Sequence, residues 1–212
     1  MKKLIRFLLI IILILSLLII YARYGGTRGL ITKEYQIETT IDDSFDGLKI
    51  VHFSDLHYLR ITNKETTQSI IEEINLLNPD IVVFTGDLID KDYKPNDKDI
   101  SNLKELLTSI KSKYGKYSVL GEHDIKVEDT IKDIYISSNF TLLDNSYDVI
   151  YGNNNNKLFI GGLSNNPDID KVMNYFTENE DINYKIILVH EPDYIDTITS
   201  KYNNTNLVLA GH

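Results

Sequence analysis

Cysteine is absent from this 212-residue chain. That removes a disulfide framework, a thiolate metal site and a cysteine nucleophile together, and leaves the redox compartment open. An excess of positive charge is also missing: 22 Lys and Arg stand against 31 Asp and Glu, for a net charge of −9. Nucleic-acid duplexes are held chiefly by Lys and Arg neutralising phosphates, so the balance argues against a nonspecific nucleic-acid binder. An anionic substrate would need local positive charge, of the kind a bound metal ion supplies. No G-x-S-x-G, Walker or H-E-x-x-H pattern occurs, and no repeat of solenoid period is visible.

What is present divides into an apolar N-terminus and an ordinary globular remainder, with 42% hydrophobic and 25% charged residues over the whole chain. Lys2, Lys3 and Arg6 precede an uncharged run from Phe7 to Tyr21 that is almost entirely Leu and Ile. This is the order of a positive n-region and an apolar h-region. A buried core helix would show a polar face, and the run contains only Ser16. Tyr21-Ala22-Arg23-Tyr24 lacks the small-x-small pattern of a cleavage site, which favours an uncleaved anchor over a signal peptide. The reading is an N-terminal anchor over residues 1–24, a Gly-interrupted linker over 25–33, and one folded domain over 34–212. The positive-inside tendency would place that domain outside a bacterial cytoplasmic membrane, crossed once, although Arg23, Arg28 and Lys33 add positive charge on the far side.

Aspartate and histidine recur at four points, Asp55-Leu56-His57, Gly86-Asp87, Gly121-Glu122-His123-Asp124 and His190, and Gly211-His212 follows. Each comes after a short apolar run: 48–53, 81–84, 117–120, 186–189 and 207–210. Five polar clusters at five strand ends can converge on one rim. In an extended strand end, Asp55 and His57 would point to the same side. Thr62-Asn63-Lys64-Glu65 reads as a capping box at a helix start, with Ile70, Ile71, Ile74 and Leu77 on one face. Ile100, Leu103, Leu106, Leu107 and Ile110 mark a second helix ending near Gly115. This spacing is that of parallel βαβ units. Tyr35 to Thr39 reads as an edge strand. The runs 147–151 and 158–160, joined across Gly152 and four asparagines, read as a hairpin, followed by a helix near 168–176.

The ordered set resembles the calcineurin-like metallophosphoesterases, whose pattern runs D-x-H, G-D, G-N-H-[DE], H and G-H-x-H, over about Leu48 to His212. The apolar N-terminus and Phe53-Ser54-Asp55-Leu56-His57 look most like the membrane-associated or exported bacterial branch. The resemblance implies a layered α/β/β/α sandwich of the metallophosphoesterase type, with a parallel core and a more antiparallel second sheet. It also implies two divalent transition-metal ions, Mn, Fe or Zn, since mixed carboxylate and imidazole ligands suit these ions. Asp55 and His57 would hold the first ion, Asp87 would bridge, and Glu122, His190 and His212 would hold the second. His123 would contact phosphate and protonate the leaving oxygen, with Asp124 beside it in a catalytic or supporting role. Two departures stand out: Glu122 replaces the family asparagine, and the last histidine of G-H-x-H would fall two residues past His212, leaving the fold incomplete at its C-terminus.

Each residue has a plainer reading. Asp87 could be a turn residue after Gly86, His52 a packed sheet residue, and Gly161-Gly162-Leu163-Ser164 a tight strand end. The functional reading is a metal-dependent phosphoester hydrolase acting on a small-molecule or lipid-linked phosphoester or pyrophosphate of the cell envelope. The rival is a noncatalytic metal- or ligand-binding member of the same fold, disabled by Glu122 and the missing histidine.

Overall fold

The computed structural model describes residues 2–24, 29–177, 182, 184–202 and 204–212. The chain forms two compact units, Met1–Ile37 and Glu38–His212. The first contains helix α1 (Lys2–Tyr24), whose described apolar side chains are exposed. The expected membrane anchor is overturned, because no helix among the described residues is long and apolar enough to cross a membrane. The uncharged run from Phe7 to Tyr21 rises about 22 Å at 1.5 Å per residue, against a hydrocarbon core of roughly 30 Å. The membrane-associated branch, attachment to a membrane through the N-terminus and the extracytoplasmic single-pass placement lose their basis with it. Gly25, Gly26 and Arg28 lie outside the described residues. The edge strand expected at Tyr35 to Thr39 is also absent; Tyr35 and Ile37 are exposed and pair with no strand among the described residues.

The second unit is the layered sandwich. Its first sheet is β1 (Ile50–Phe53), β2 (Ile81–Phe84), β3 (Gly115–Ser118) and β4 (Phe140–Leu142), in that order and all parallel. Helices α2 (Lys64–Leu76), α3 (Asp97–Thr108) and α4 (Glu128–Ser137) supply the crossovers. Asn63 caps α2 by accepting from the Thr66 N–H, and Asn96 with Asp99 forms a reciprocal capping box on α3. α3 stops at Thr108 rather than near Gly115. The second sheet is β5 (Ser146–Tyr151), β6 (Lys157–Gly162), β7 (Tyr184–Val189) and β8 (Leu207–Ala210), with α5 (Ile169–Thr177) and α6 (Ile195–Lys201) in its crossovers. Only β5 and β6 pair antiparallel; β6 with β7 and β7 with β8 are parallel. The second sheet is thus the more antiparallel of the two, through its β5–β6 pair alone, since the crossover helices return β7 and β8 in the direction of β6.

Three apolar clusters correspond to the three interfaces between four layers. Val82 and Phe84 of β2 face Leu103, Leu107, Ile131 and Ile134 of the helices, while Ile81 and Val83 face Ile160, Ile186 and Leu188 of the other sheet. Phe159 and Ile187 turn outward onto Val172, Met173 and Ile198. The alternation along β2 therefore splits one strand between two cores. Every side chain of β2 is buried, each contributing about 1.5–3 kcal/mol relative to exposure. This burial fixes strand register, and register fixes where the chain leaves the sheet. β1, β2, β3, β7 and β8 all end immediately before the Asp- and His-bearing segments.

Candidate metal centre

The site begins with a backbone that departs from regular structure. β1 ends at Phe53, and Asp55 and His57 follow with φ of 54° and 39°; Asp87 and His212 have φ of 59° and 61°. Asp55 and His57 are therefore turned together by left-handed residues, not by strand alternation. Close approach of loops requires glycine at two points: a Cβ on Gly121 would overlap the Asp87 carboxylate, and one on Gly86 (φ +95°) would overlap the Gly121 backbone. Asp124 ties the loops together. It is fully buried, and its carboxylate accepts from the N–H groups of Asp87 (2.9 Å), Leu88 (2.9 Å), Ile89 (3.4 Å) and Gly121 (3.0 Å). Burial, with the Asp87 charge, pushes Asp124 up to about 7 against the pull of the Gly121, Ile89 and Leu88 N–H groups. Its oxygens are thus committed to backbone N–H groups of both loops.

Asp87 lies at the centre. Its Oδ1 accepts from the His123 N–H at 2.9 Å, and its Oδ2 lies 3.4 Å from His190 Nε2, 3.6 Å from His57 Nε2 and 4.0 Å from His123 Nε2. Burial alone would raise its pKa, but His190 and the His123 N–H outweigh burial and hold it below the usual value. Two groups of ligand-type side chains share Asp87: Asp55, Asp87, His190 and His212 in one, and His57, Asp87 and His123 in the other, with ligand atoms of each group within 4.8 Å of one another. Asp55 and His57, expected as one pair, fall in different groups but remain neighbours, with His57 Nε2 3.9 Å from Asp55 Oδ1. Glu122 belongs to neither group among the described residues; it is 40% exposed, with Oε1 3.2 Å from His123 Nε2 and 3.9 Å from Lys91 Nζ.

When neutral, the two imidazoles beside Asp87 hold opposite tautomers. A carbonyl oxygen can only accept, so His190 donates from Nδ1 to Thr85 O at 2.7 Å, leaving a bare Nε2 that is buried and makes no hydrogen bond. A backbone N–H can only donate, so the Lys91 N–H at 3.2 Å leaves His123 Nδ1 bare and the proton on Nε2. An orphaned, buried lone pair facing a carboxylate is the arrangement that fits a cation. Without one, His190 takes a proton: burial pulls it down, but Asp87 and Thr85 O outweigh burial and push it up to about 9.

His52 is not part of either group; its Nε2 meets Thr85 Oγ1 at 2.7 Å, as a sheet residue would. Asp90, which sequence reasoning passed over, stands between two site histidines. Its Oδ2 lies 3.6 Å from His57 Nδ1 and 3.4 Å from His123 Nδ1, and its Oδ1 accepts from Arg60 at 2.8 Å. The available signal was an aspartate three residues after Asp87, separated from it by the fully buried Leu88 and Ile89.

The calcineurin-like phosphoesterase family profile matches residues 48–212. The chain belongs to that family. It is 33% identical over 201 residues to the uncharacterized metallophosphoesterase YkuE of Bacillus subtilis, covering 91% of this chain and 67% of that protein. It is 26% identical over 187 residues to a transmembrane protein with metallophosphoesterase domain of Danio rerio, covering 81% and 41%. Over 78 residues it is 36% identical to the UDP-2,3-diacylglucosamine pyrophosphatase LpxG of Chlamydia muridarum, covering 37% and 23%. The chain thus spans two thirds of the Bacillus relative and less than half of the other two. Family membership and the two clusters sharing Asp87 support a hydrolase with a dinuclear divalent-metal site that cleaves phosphoester bonds.

Proposed function

We propose that Asp55, Asp87, His190 and His212 hold one divalent cation, that His57 with Asp87 holds the second, and that His123 donates the proton taken up by the leaving oxygen. The opposite tautomers of His190 and His123 carry this division of roles. His190 offers a lone pair from Nε2, as a ligand must; His123 offers a proton from Nε2, as a general acid must. A pair of divalent ions, when bound, supplies an activated water near neutral pH and neutralises charge on the phosphoryl oxygens. Asp87 supports both sites from one carboxylate, and Asp124 holds the Asp87 backbone in its left-handed turn. His123 is 16% exposed, open enough to meet a substrate oxygen. The short match to a pyrophosphatase supports phosphodiester or pyrophosphate linkages as the substrate class.

The test is His123→Ala on Mn²⁺-loaded protein, with diaryl phosphodiesters of good and poor leaving groups. Metal stoichiometry should stay at the wild-type value, while turnover falls about 100-fold for the poor leaving group and less for 4-nitrophenolate. Loss of a metal ion would make His123 a ligand and overturn the division of roles. A wild-type protein that binds Mn²⁺ and cleaves neither ester would refute the hydrolase reading.

A further inference from the structure

The residue that departs from the family pattern stands on the proton that the reaction uses. We infer that Glu122 is a specificity-determining residue that selects phosphodiester monoanions over phosphomonoester dianions. The inference rests on the hydrolase reading above. His123 carries its proton on Nε2, because Nδ1 is occupied by the Lys91 N–H. The carboxylate oxygen of Glu122 lies 3.2 Å from that Nε2, where a substrate oxygen must arrive. Glu122 belongs to neither ligand group among the described residues, so its charge is not committed to a metal ion there.

Its main chain is held by a neighbouring side chain, while its own side chain is partly open to solvent. With the Asn165 carboxamide oriented to satisfy both neighbours, its nitrogen donates to Leu120 O and its oxygen accepts from the Glu122 N–H, each at 3.1 Å. The side chain is 40% exposed and can swing away from His123. A phosphoryl group reaching His123 must displace this carboxylate or approach beside it. A dianion meets about twice the repulsion met by a monoanion, and the Lys91 ammonium, 3.9 Å from Glu122, offsets only part of it. An asparagine at this position would offer a neutral amide and no such discrimination.

The experiment compares 4-nitrophenyl phosphate with bis(4-nitrophenyl) phosphate on Mn²⁺-loaded wild type and Glu122→Gln, which keeps the size and removes the charge. The ratio of kcat/KM for monoester over diester should rise about tenfold in Glu122→Gln, a factor reduced from the full Coulomb value by solvent exposure. Inorganic phosphate should become a correspondingly tighter competitive inhibitor, and metal stoichiometry should not change. An unchanged ratio with hydrolysis intact overturns this inference alone. A loss of metal in Glu122→Gln also overturns it, by making Glu122 a ligand. Absence of hydrolysis of both esters by wild type overturns the hydrolase reading and this inference with it.

Discussion

Removing the charge of Asp87 should abolish a pH dependence that the metal-free protein otherwise carries. Asp87 Oδ2 and His190 Nε2 are 3.4 Å apart and almost fully buried. At that separation and an effective dielectric near 20, the imidazolium–carboxylate attraction is about 5 kcal/mol. Burial of the imidazolium opposes it, and the net outcome is the rise of His190 from 6.5 to about 9, equivalent to about 3 kcal/mol. Attraction therefore wins over desolvation. Because the folded pKa is raised, the stabilisation is fully present below about pH 6.5 and is lost as pH rises through about 9. A cation must displace the same proton, so the apparent Mn²⁺ affinity should climb about tenfold per pH unit across that window. Asp87→Asn keeps an oxygen for the His123 N–H but removes the charge. In chelator, urea denaturation from pH 6 to pH 9.5 should show the variant without wild type's loss of about 3 kcal/mol. Isothermal titration with Mn²⁺ should show affinity weakened by at least about 100-fold, with no tenfold-per-unit slope above neutral pH. A wild-type Mn²⁺ affinity that is flat between pH 7 and 8.5, or an Asp87→Asn variant that binds two ions as tightly as wild type, would refute the reasoning.

Asp124→Ala should leave four buried backbone donors without an acceptor, lowering stability by about 3 kcal/mol or more and loosening Mn²⁺ binding, as read by chemical denaturation and metal titration. Wild-type stability and Mn²⁺ affinity in that variant would show that Asp124 does not position the loops. Lys116 is buried on β3, with Nζ donating to Leu107 O and lying 4.9 Å from the Phe140 ring centroid, and burial pulls its ammonium down to about 8. Its folded pKa is depressed, so it makes folding more favourable as pH rises from about 8 to 10.5, by at most about 3 kcal/mol. Since His190 titrates with opposite sign nearby, the difference between wild type and Lys116→Met is the quantity to measure by denaturation across pH 7.5–10.5; a constant difference contradicts the assignment.

The apolar runs that place the site were readable as short Ile-, Val- and Leu-rich stretches, most clearly in β2 and β7, where burial on both faces leaves almost no alternative residues. Ile81-Val82-Val83-Phe84 is the strand β2 without a residue's error, and Leu207 to Ala210 is β8. The helices α2 and α3 were readable from the spacing of Ile70, Ile71 and Ile74 and of Ile100, Leu103, Leu106 and Leu107, while the caps that the structure gives them, Asn63 and Asn96, each meet an orphan N–H three residues on. Helix α4 was missed although Ile131, Ile134 and Tyr135 keep helical spacing, because it starts directly from the 3₁₀ turn Asp124–Val127 with no side-chain cap to announce it. The direction of β7 and β8 was not readable either. It depends on which way α5 and α6 carry the chain, and these short helices take their stability from Phe159 and Ile187 of the sheet rather than from local signals. At the site, residue types were legible and partnerships were not. Which imidazole nitrogen is bare depends on Thr85 O, 105 positions before His190, and on the Lys91 N–H, 32 positions before His123.

Among the described residues, positive φ outside glycine falls on five asparagines, on Leu59 and on four residues of the two ligand groups. Positive φ at Asn78, Asn139, Asn145, Asn154 and Asn155 falls on the residue type that best tolerates it after glycine, and these positions lie in turns. Asp55, His57, Asp87 and His212 adopt the same region as ligand-type residues, and a non-glycine there costs on the order of 1–2 kcal/mol each. Glycine would relieve that cost at each of the four and would delete the side chain that the site needs. Something must then hold the strained turns. Asp124 does so for Asp87 through the N–H groups of residues 87, 88 and 89. Neighbouring backbone serves the first loop, since the Asp55 N–H donates to Gly86 O at 3.0 Å and the His57 N–H to Asp87 O at 3.1 Å. Strain in one ligand loop is thus relieved by hydrogen bonds from the next. A substitution that frees the loop at 86–89 should therefore disturb Asp55 and His57 as well as Asp87, although the two loops are separated by thirty residues of sequence.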